Sequence, residues 1–274
     1  MAIATRRSLP PARGERRESQ LWARLSVWLL PVLIIATWQI LSVTGVVSTR
    51  ILPSPWSVVL AAWDLLLSGD LLRDVGVSAR RALTGLAIGG GIGLALGFLN
   101  GVFTTSERLL DSTLQMIRTV PHLALLPLVI LWFGIGEPAR VFLIALGTFF
   151  PIYLNTFYGI RQVDGNLTEM GRAYGLTTWQ LLRHVILPGA LPNILVGLRY
   201  ALGIMWLTLV VAEMNAATSG IGFLTSTARE FMRTDVLTFA IVLYALLGKL
   251  ADVIARALEG RFLPWHPNYV KEPL

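Results

Sequence analysis

The residues best suited to chemistry in this chain are a few charged side chains embedded in apolar sequence. Four ionisable residues stand in or beside the last two long apolar runs: Arg199, Glu213, Lys249 and Asp252. Charges in such surroundings are costly and usually face a cavity or a partner charge. Lys249 and Asp252 are three residues apart and should pair on a helix. Arg199 and Glu213 are the candidate residues of a substrate pathway. Arg199 has no acid within four residues, so it either contacts an anion in that pathway or pairs across helices with Glu213 or Asp252.

Covalent catalysis and metal binding find no support in the sequence. The chain has no cysteine, and its three histidines, at positions 122, 184 and 266, are far apart. This excludes disulfides and thiolate metal sites. An ATP-binding P-loop needs G-x-x-x-x-G-K-[ST], in which the lysine reaches the phosphates, and neither Lys249 nor Lys271 has this context. We expect no catalytic residue, metal or cofactor in this chain, so any ATP and Mg²⁺ belong to another chain.

Composition indicates that membrane-spanning helices position these side chains. The chain has 274 residues, of which 54% are hydrophobic and 14% charged, whereas soluble domains carry about 25% charged residues. The mean hydropathy is +0.65. The chain contains several apolar runs whose lengths are close to the roughly 20 residues that a helix needs to cross a bilayer. The net charge of +7 is explained by basic residues beside these runs rather than by nucleic-acid binding.

We predict an all-α polytopic membrane protein with about six spans in a lipid bilayer. The predicted spans are 25–44, 82–103, 120–134, 139–158, 191–212 and 236–258. The third helix should begin earlier, after Ser106, and an amphipathic stretch at 51–70 should lie along the outer surface. Residues 1–24 are predicted to form a basic tail, 25–264 the membrane domain and 265–274 a second tail.

The distribution of basic residues predicts the orientation. With the N-terminus inside, the cytoplasmic segments hold about twice as many Arg and Lys residues as the outer segments. Both tails and the loop 161–188 are therefore expected in the cytoplasm. Arg80 and Arg81, at the outer start of the second span, are exceptions to this pattern.

The second span carries glycines at every fourth position. They are Gly85, Gly89, Gly93, Gly97 and Gly101. Spacing of four places them along one face of a helix, and small residues let two helix backbones approach closely. We predict tight packing of this face against another span, either of the same chain or of a second copy.

The loop 161–188 contains a polar, helix-forming segment, EMGRAYGLTTWQLLRHVILP, between two apolar runs. Asn166 followed by Glu169 suits an N-cap with its reciprocal acid. Gly175 suits the position that ends a helix. These residues predict one short capped helix.

A second short helix is predicted directly after the first. Thr177 followed by Gln180 has the spacing of a capping box. Pro188 should stop this helix before the next span. Two capped helices make a compact knob, which either docks in the groove of a partner or only connects two spans.

This segment resembles the cytoplasmic coupling loop of ABC importer permeases, whose pattern is E-A-A, three residues, G, nine residues, I-x-L-P. Its counterparts here are Glu169, Met170 and Gly171 for the first three positions, Gly175 for the glycine, Val185 for the isoleucine, and Leu187 with Pro188 for the ending. Residues 118–161, 197–214, 219–224 and 245–252 extend the resemblance. It is to the nitrate, sulfonate and taurine group, and within it most nearly to the aliphatic sulfonate permeases.

The resemblance implies the fold of type I ABC importer permeases and a place in the bacterial cytoplasmic membrane. It implies three kinds of partner: a second copy of the chain, two ABC ATPase subunits that hold ATP and Mg²⁺, and an extracytoplasmic substrate-binding protein. The implied ATPase-coupling residues are Glu169, Met170, Gly171, Tyr174, Gly175, Trp179, Leu187 and Pro188. The implied substrate is an aliphatic sulfonate, with nitrate, taurine or a pyrimidine-type compound as alternatives. An ion-coupled secondary transporter is the alternative of another class.

Overall fold

The computed structural model describes residues 29–49, 51–215 and 217–265, and every regular element in these ranges is helical. The predicted tail 1–24 and the part of the second tail beyond Trp265 lie outside the described residues. The helices are α1 (Leu29–Val43), α2 (Pro55–Leu67), α3 (Asp70–Val102), α4 (Thr104–Thr119), α5 (Leu126–Phe133), α6 (Glu137–Arg161), α7 (Gly165–Ala173), α8 (Thr178–Leu181), α9 (Leu187–Met214), α10 (Ile221–Glu230) and α11 (Thr234–Phe262). A 3₁₀ turn (His122–Leu125) precedes α5, and a π-helical turn (Leu182–Ile186) joins α8 to α9.

Four helices are long and apolar enough to cross a bilayer: α3, α6, α11 and the continuous helix Thr178–Met214, which contains α8 and α9. A fifth candidate is α4 together with His122–Phe133, a pair bent by 80°. α1 is the described part of the first predicted span and is shorter than the about 20 residues that cross a hydrocarbon core. The all-α membrane architecture is confirmed, and four or five of the six predicted spans are found among the described residues.

The third predicted span is not a single helix. α4 ends at Thr119, and Val120 has the extended backbone angles φ −76° and ψ 121°. Pro121 follows, and a proline lacks an amide donor and disfavours the helical conformation in the residue before it. The chain therefore bends by 80° before it continues as the 3₁₀ turn and α5. The third predicted span, whose helix was expected to begin after Ser106, is therefore divided in two at this proline.

The glycine face of α3 packs against α6, which lies between α3 and α9. A Cβ atom placed on Gly93 would lie 2.6 Å from the Phe149 carbonyl oxygen, and one on Gly97 would lie 2.6 Å from the Tyr153 carbonyl oxygen. The other three glycines of the face also lie against α6: Gly89 at the Ala145 backbone, and Gly85 and Gly101 at the side chains of Ile144 and Ile160. The closely packed neighbour is therefore a helix of the same chain.

The helix that follows the loop does not stop at Pro188. It runs without interruption from Thr178 to Met214, and Pro188 lies in its interior, just after the π-helical turn Leu182–Ile186. Pro188 has no amide hydrogen for the carbonyl of His184, four residues earlier. A π-helical turn at such a position lets the helix continue past a missing hydrogen bond. The predicted stop was wrong because the turn before the proline changes its hydrogen-bond pattern instead of ending.

Candidate functional site

α7 is the first helix of the loop 161–188, which is predicted to contact the ATPase. Its N-cap is Asp164, whose carboxylate accepts a hydrogen bond from the Asn166 amide at 2.9 Å. The predicted cap, Asn166, already lies inside the helix, so that prediction was wrong. A cap needs a non-helical backbone, and Asp164 has one, with φ −54° and ψ 122°. Glu169 consequently lies in the second turn of α7, where it is exposed.

Gly175 ends α7, as predicted. Its φ of +81° lies in the left-handed region that favours glycine. The Gly175 amide donates to the Arg172 carbonyl at 2.9 Å, and the Leu176 amide donates to the Gly171 carbonyl at 3.0 Å. This pair of hydrogen bonds is a Schellman motif. It turns the chain sharply toward α8.

α7 and α8 form one compact unit, called here the knob (Gly165–Leu181). The predicted capping box is present, because the Thr177 hydroxyl accepts from the Gln180 amide at 3.4 Å and the Gln180 side-chain oxygen accepts from the Thr177 amide at 2.9 Å. A Cβ atom on Gly171 would lie 2.7 Å from Leu181 Cδ1. The two helices therefore pack closely at Gly171, which fixes the shape of the knob.

The knob presents apolar side chains to its surroundings. Four of them are exposed: Leu167, Met170, Tyr174 and Trp179. Tyr174 is 82% exposed and Trp179 is 68% exposed. Leu187, at the start of α9, is also exposed, and Pro188 beside it is half-buried. An aromatic and aliphatic surface on a rigid unit suits a groove on another protein.

Arg199 lies in an ion-pair cluster between α9 and α11. It donates to Asp252 Oδ1 from Nε at 2.9 Å and from Nη2 at 2.7 Å. Asp252 also pairs with Arg256, and Lys249 lies 3.7 Å from it, so the predicted Lys249–Asp252 pair is present. Glu259 lies 3.7 Å from Arg199. Of the alternatives for Arg199, the structure shows pairing with Asp252.

Glu213 belongs to a different cluster, which the sequence analysis did not identify. Its buried carboxylate accepts hydrogen bonds from Arg81 Nη1 at 2.7 Å and from Ser78 Oγ at 2.8 Å. Arg81 is 2% exposed and also donates from Nε to Glu137 at 2.7 Å. Glu137 in turn lies 3.2 Å from Arg140. We call these residues, together with Asp74, the Arg81 cluster, and they join α3, α6 and α9.

The Arg81 cluster also holds the start of α10. Three consecutive backbone amides there donate to side chains of other helices: Gly220 to Asp74, Ile221 to Ser78 and Gly222 to Glu213, each at 2.9 Å. The first amides of a helix have no partner within the helix. Side chains from α3 and α9 supply these partners and fix the connection between α9 and α10.

Two sequence signals pointed to this cluster. Asp74, Ser78 and Arg81 are spaced four and three residues apart, so they share one face of α3. Arg81 was also an exception to the predicted distribution of basic residues. The structure shows that its charge is neutralised by Glu137 and Glu213 inside the protein. A charged face on an otherwise apolar span was therefore readable, although its partners were not.

Comparison with known proteins decides the family. The sequence profile of the family described as "Binding-protein-dependent transport system inner membrane component" matches residues 87–264. The chain belongs to this family. It is therefore a multi-pass permease component of a transport system in the inner membrane, and not an enzyme. In the described part of this permease, no group of three His, Cys, Asp or Glu residues could hold a metal ion.

Relatives of this permease agree with the predicted resemblance. A protein of Escherichia coli (strain K12) named as an aliphatic sulfonates transport permease, SsuC, is 59% identical over 246 residues, which cover 90% of this chain and 94% of that protein. Its namesake in Bacillus subtilis (strain 168) is 48% identical over 241 residues, which cover 88% and 87%. A crystal structure of an amino acid ABC transporter with histidines shares the fold, with a TM-score of 0.55 at 19% identity over 73% of this chain and 97% of that one.

Proposed function

We propose that this permease imports aliphatic sulfonates into the bacterial cytoplasm and that ATP hydrolysis on two separate ABC ATPase subunits drives it. It acts with a second copy of itself and receives its substrate from an extracytoplasmic binding protein. The family supports the permease role and the need for a binding protein. Two relatives from different bacteria, both named for aliphatic sulfonates, support the substrate.

The observation that carries the coupling to ATP is the continuity between the knob and a spanning helix. α8, the π-helical turn and α9 form one uninterrupted helix from Thr178 to Met214. A displacement of the knob therefore reaches the membrane interior without an intervening flexible loop. ATP binding would bring two ATPases together, and the attached knobs would convert an inward-open cavity to an outward-open one. This is an alternating-access cycle between two discrete states.

The orientation is tested by cysteine labelling, which the absence of native cysteine makes clean. A cysteine at Thr177, in the knob, is expected to react with a membrane-impermeant maleimide only after the cells are opened. A cysteine at Ser68, exposed between α2 and α3, is the matched control and should react in intact cells. Labelling of Thr177→Cys from outside intact cells would reverse the proposed topology.

Changes in the knob are expected to stop transport while the permease stays inserted. Gly175→Leu forces a branched side chain into a left-handed conformation, at a cost of about 1–3 kcal/mol, and distorts the surface that meets the ATPase. Glu169→Lys reverses an exposed charge on the same unit. We expect at least about a tenfold loss of uptake, since 1.4 kcal/mol corresponds to a factor of ten. The measurements are uptake and co-purification of the ATPase.

The matched control for this test is Gly165→Leu. Gly165 lies in the same knob, has an ordinary backbone conformation and has no atom within 4 Å of a Cβ placed on it. It should retain both uptake and the ATPase. Equal uptake by Gly175→Leu, Glu169→Lys and Gly165→Leu would refute the assignment of the knob as the ATPase contact.

Reconstitution tests the whole proposal. The permease, its ATPase and its binding protein are placed in proteoliposomes, and uptake of radiolabelled butane-1-sulfonate is measured with and without ATP. Uptake should require ATP and the binding protein. Uptake that follows an ion gradient and continues without the ATPase would instead establish the secondary transporter alternative.

A further inference from the structure

A cavity opens where the chain breaks between α4 and α5. It has a volume of about 240 Å³ and is lined by side chains of α4, the 3₁₀ turn, α6 and α9. Two of its lining residues are basic: Arg118 near the end of α4 and His122 at the start of the 3₁₀ turn. The helix break therefore brings two cationic or hydrogen-bonding side chains to one space.

This cavity lies deep in the predicted membrane region. α6 forms one of its walls, and Gly147 of that wall is ten residues after the helix start at Glu137. At a rise of about 1.5 Å per residue, Gly147 lies about 15 Å along the helix. The hydrocarbon core is about 30 Å thick, so Gly147 lies near its middle. Non-helical backbone at such a depth is tolerated where it lines a cavity.

Arg118 lines this cavity without a carboxylate beside it. Within the described residues no carboxylate oxygen lies within 4.0 Å of its guanidinium, whereas Arg81 and Arg199 both form ion pairs. The Arg118 side chain is exposed rather than packed among neighbouring side chains. A charge in the membrane interior is costly unless it is compensated. An anion in the cavity would supply that compensation.

His122 is held in place at the same cavity. Its Nε2 lies 3.1 Å from the hydroxyl oxygen of Thr208, which is buried in α9. Gly147 leaves room for this contact, since a Cβ there would lie 2.8 Å from Thr208 Oγ1 and 3.3 Å from His122 Nε2. The imidazole is thus a positioned polar group in the wall and not a mobile surface side chain.

A second cavity adjoins the first and is entirely apolar. It has a volume of about 330 Å³ and lies between α3, α4 and α6. Every side chain that lines it is aliphatic or aromatic, apart from one glycine. The two cavities share the residues Ile117, Leu146 and Phe150. A ligand of sufficient length can therefore have its charged end in one cavity and its hydrocarbon chain in the other.

We propose that the two cavities form one binding site for an amphiphilic anion on the translocation path. The sulfonate group contacts Arg118 and His122, and the alkyl chain lies in the apolar cavity. This assignment rests on the proposed function and specifies which residues meet the substrate. A sulfonate offers three acceptor oxygens, which suit a guanidinium donor.

Charge removal tests the first half of the site. The complete complex is reconstituted in phosphatidylcholine proteoliposomes, and uptake of radiolabelled butane-1-sulfonate is measured with one preparation of binding protein. Arg118→Gln is expected to lower uptake about tenfold or more, the range of a lost charged hydrogen bond, and Arg118→Lys should lower it less. Arg108→Gln is the matched control, since Arg108 is exposed on the same helix and lines neither cavity. It should transport at the wild-type rate.

Chain length tests the second half of the site. Ile92→Trp places a large ring in the apolar cavity, and Leu94→Trp places the same ring on α3 outside it. The ratio of octane-1-sulfonate uptake to methanesulfonate uptake is expected to fall about tenfold in Ile92→Trp and to stay unchanged in Leu94→Trp. An equal ratio in both variants would overturn the assignment of the alkyl chain.

The outcomes separate this site from the proposed function. If the wild-type complex transports sulfonates and Arg118→Gln transports them as fast as Arg108→Gln, the site is wrong and the proposed function stands. If the wild-type complex transports none of these sulfonates, both fail. If the Arg118→Gln defect occurs only when anionic lipid is added to the phosphatidylcholine, Arg118 binds an anionic lipid headgroup, which also overturns the site.

Discussion

Gly93→Leu is expected to abolish the yield of folded permease. A Cβ atom at this position would lie 2.6 Å from the Phe149 carbonyl oxygen and 3.2 Å from the Tyr153 amide nitrogen. Both atoms are backbone of α6, so the contact can be relieved only if two spanning helices separate. Overpacking destabilises a protein by about 1–3 kcal/mol even where neighbouring side chains can move to make room. Backbone atoms cannot move in this way, so the loss of stability should be larger here. The measurements are the yield of the solubilised complex and its thermal unfolding temperature.

The control for this prediction is the same substitution two residues earlier. Gly91 lies on α3 as well, is exposed, and has no atom within 4 Å of a Cβ placed on it. Gly91→Leu should therefore assemble and unfold like the wild type, as should the conservative change Leu94→Ile. Similar yields and unfolding temperatures for Gly93→Leu and Gly91→Leu would show that α3 and α6 are not tightly packed along this face.

The glycine face shows what a sequence alone can predict about a membrane fold. A glycine at every fourth position is a local property of one helix, so the sequence alone was enough to predict a closely packed face. The identity of the neighbour did not, because either a helix of the same chain or a second copy would satisfy the pattern. The structure places α6 there. Local geometry is encoded within a few residues, but the choice of partner depends on the whole chain.

The knob illustrates the same limit at a smaller scale. The capping box of Thr177 and Gln180 and the left-handed Gly175 depend on hydrogen bonds over three to five residues, and both were predicted correctly. The cap of α7 was misplaced by two residues because Asp164 and Asn166 are both good capping residues. Only the backbone conformation decides between them. Pro188 was misread because a π-helical turn, which has no sequence pattern, lets the helix continue.

Charge pairing across helices was the least predictable part of the candidate site. Arg199 had two acids to choose from, and the structure pairs it with Asp252. Glu213 pairs with Arg81, which lies 132 residues away in sequence. A pair of residues so far apart in the chain produces no periodic pattern in the sequence, so the sequence does not show which acid pairs with which arginine. The sequence did show that Arg81 lies at the outer end of a span, where a basic residue is unfavourable. Such a position indicates that an acidic partner neutralises the charge.

Glu213→Gln is expected to destabilise the permease by about 3–5 kcal/mol, the range for removing one member of a buried ion pair. The glutamate side chain has no exposed surface and contacts Arg81, Ser78 and the amide of Gly222. Glutamine preserves its size but removes the charge opposite Arg81. The unfolding temperature of the solubilised complex should fall, and hydrogen exchange at the amides of Gly220 and Gly222 should accelerate, because these amides depend on the Arg81 cluster.

Two further variants separate the loss of the ion pair from a general sensitivity to acid removal. Glu230→Gln removes an exposed acid at the end of α10 and should change neither measurement. Arg81→Met combined with Glu213→Gln removes both charges at once and keeps a side-chain oxygen that can accept from Ser78 and from the Gly222 amide. Glu213→Gln alone leaves the buried Arg81 charge opposite a neutral group, so the double variant should be more stable than Glu213→Gln alone. If the double variant is instead as unstable as the sum of its two single changes, the two residues do not act as a pair.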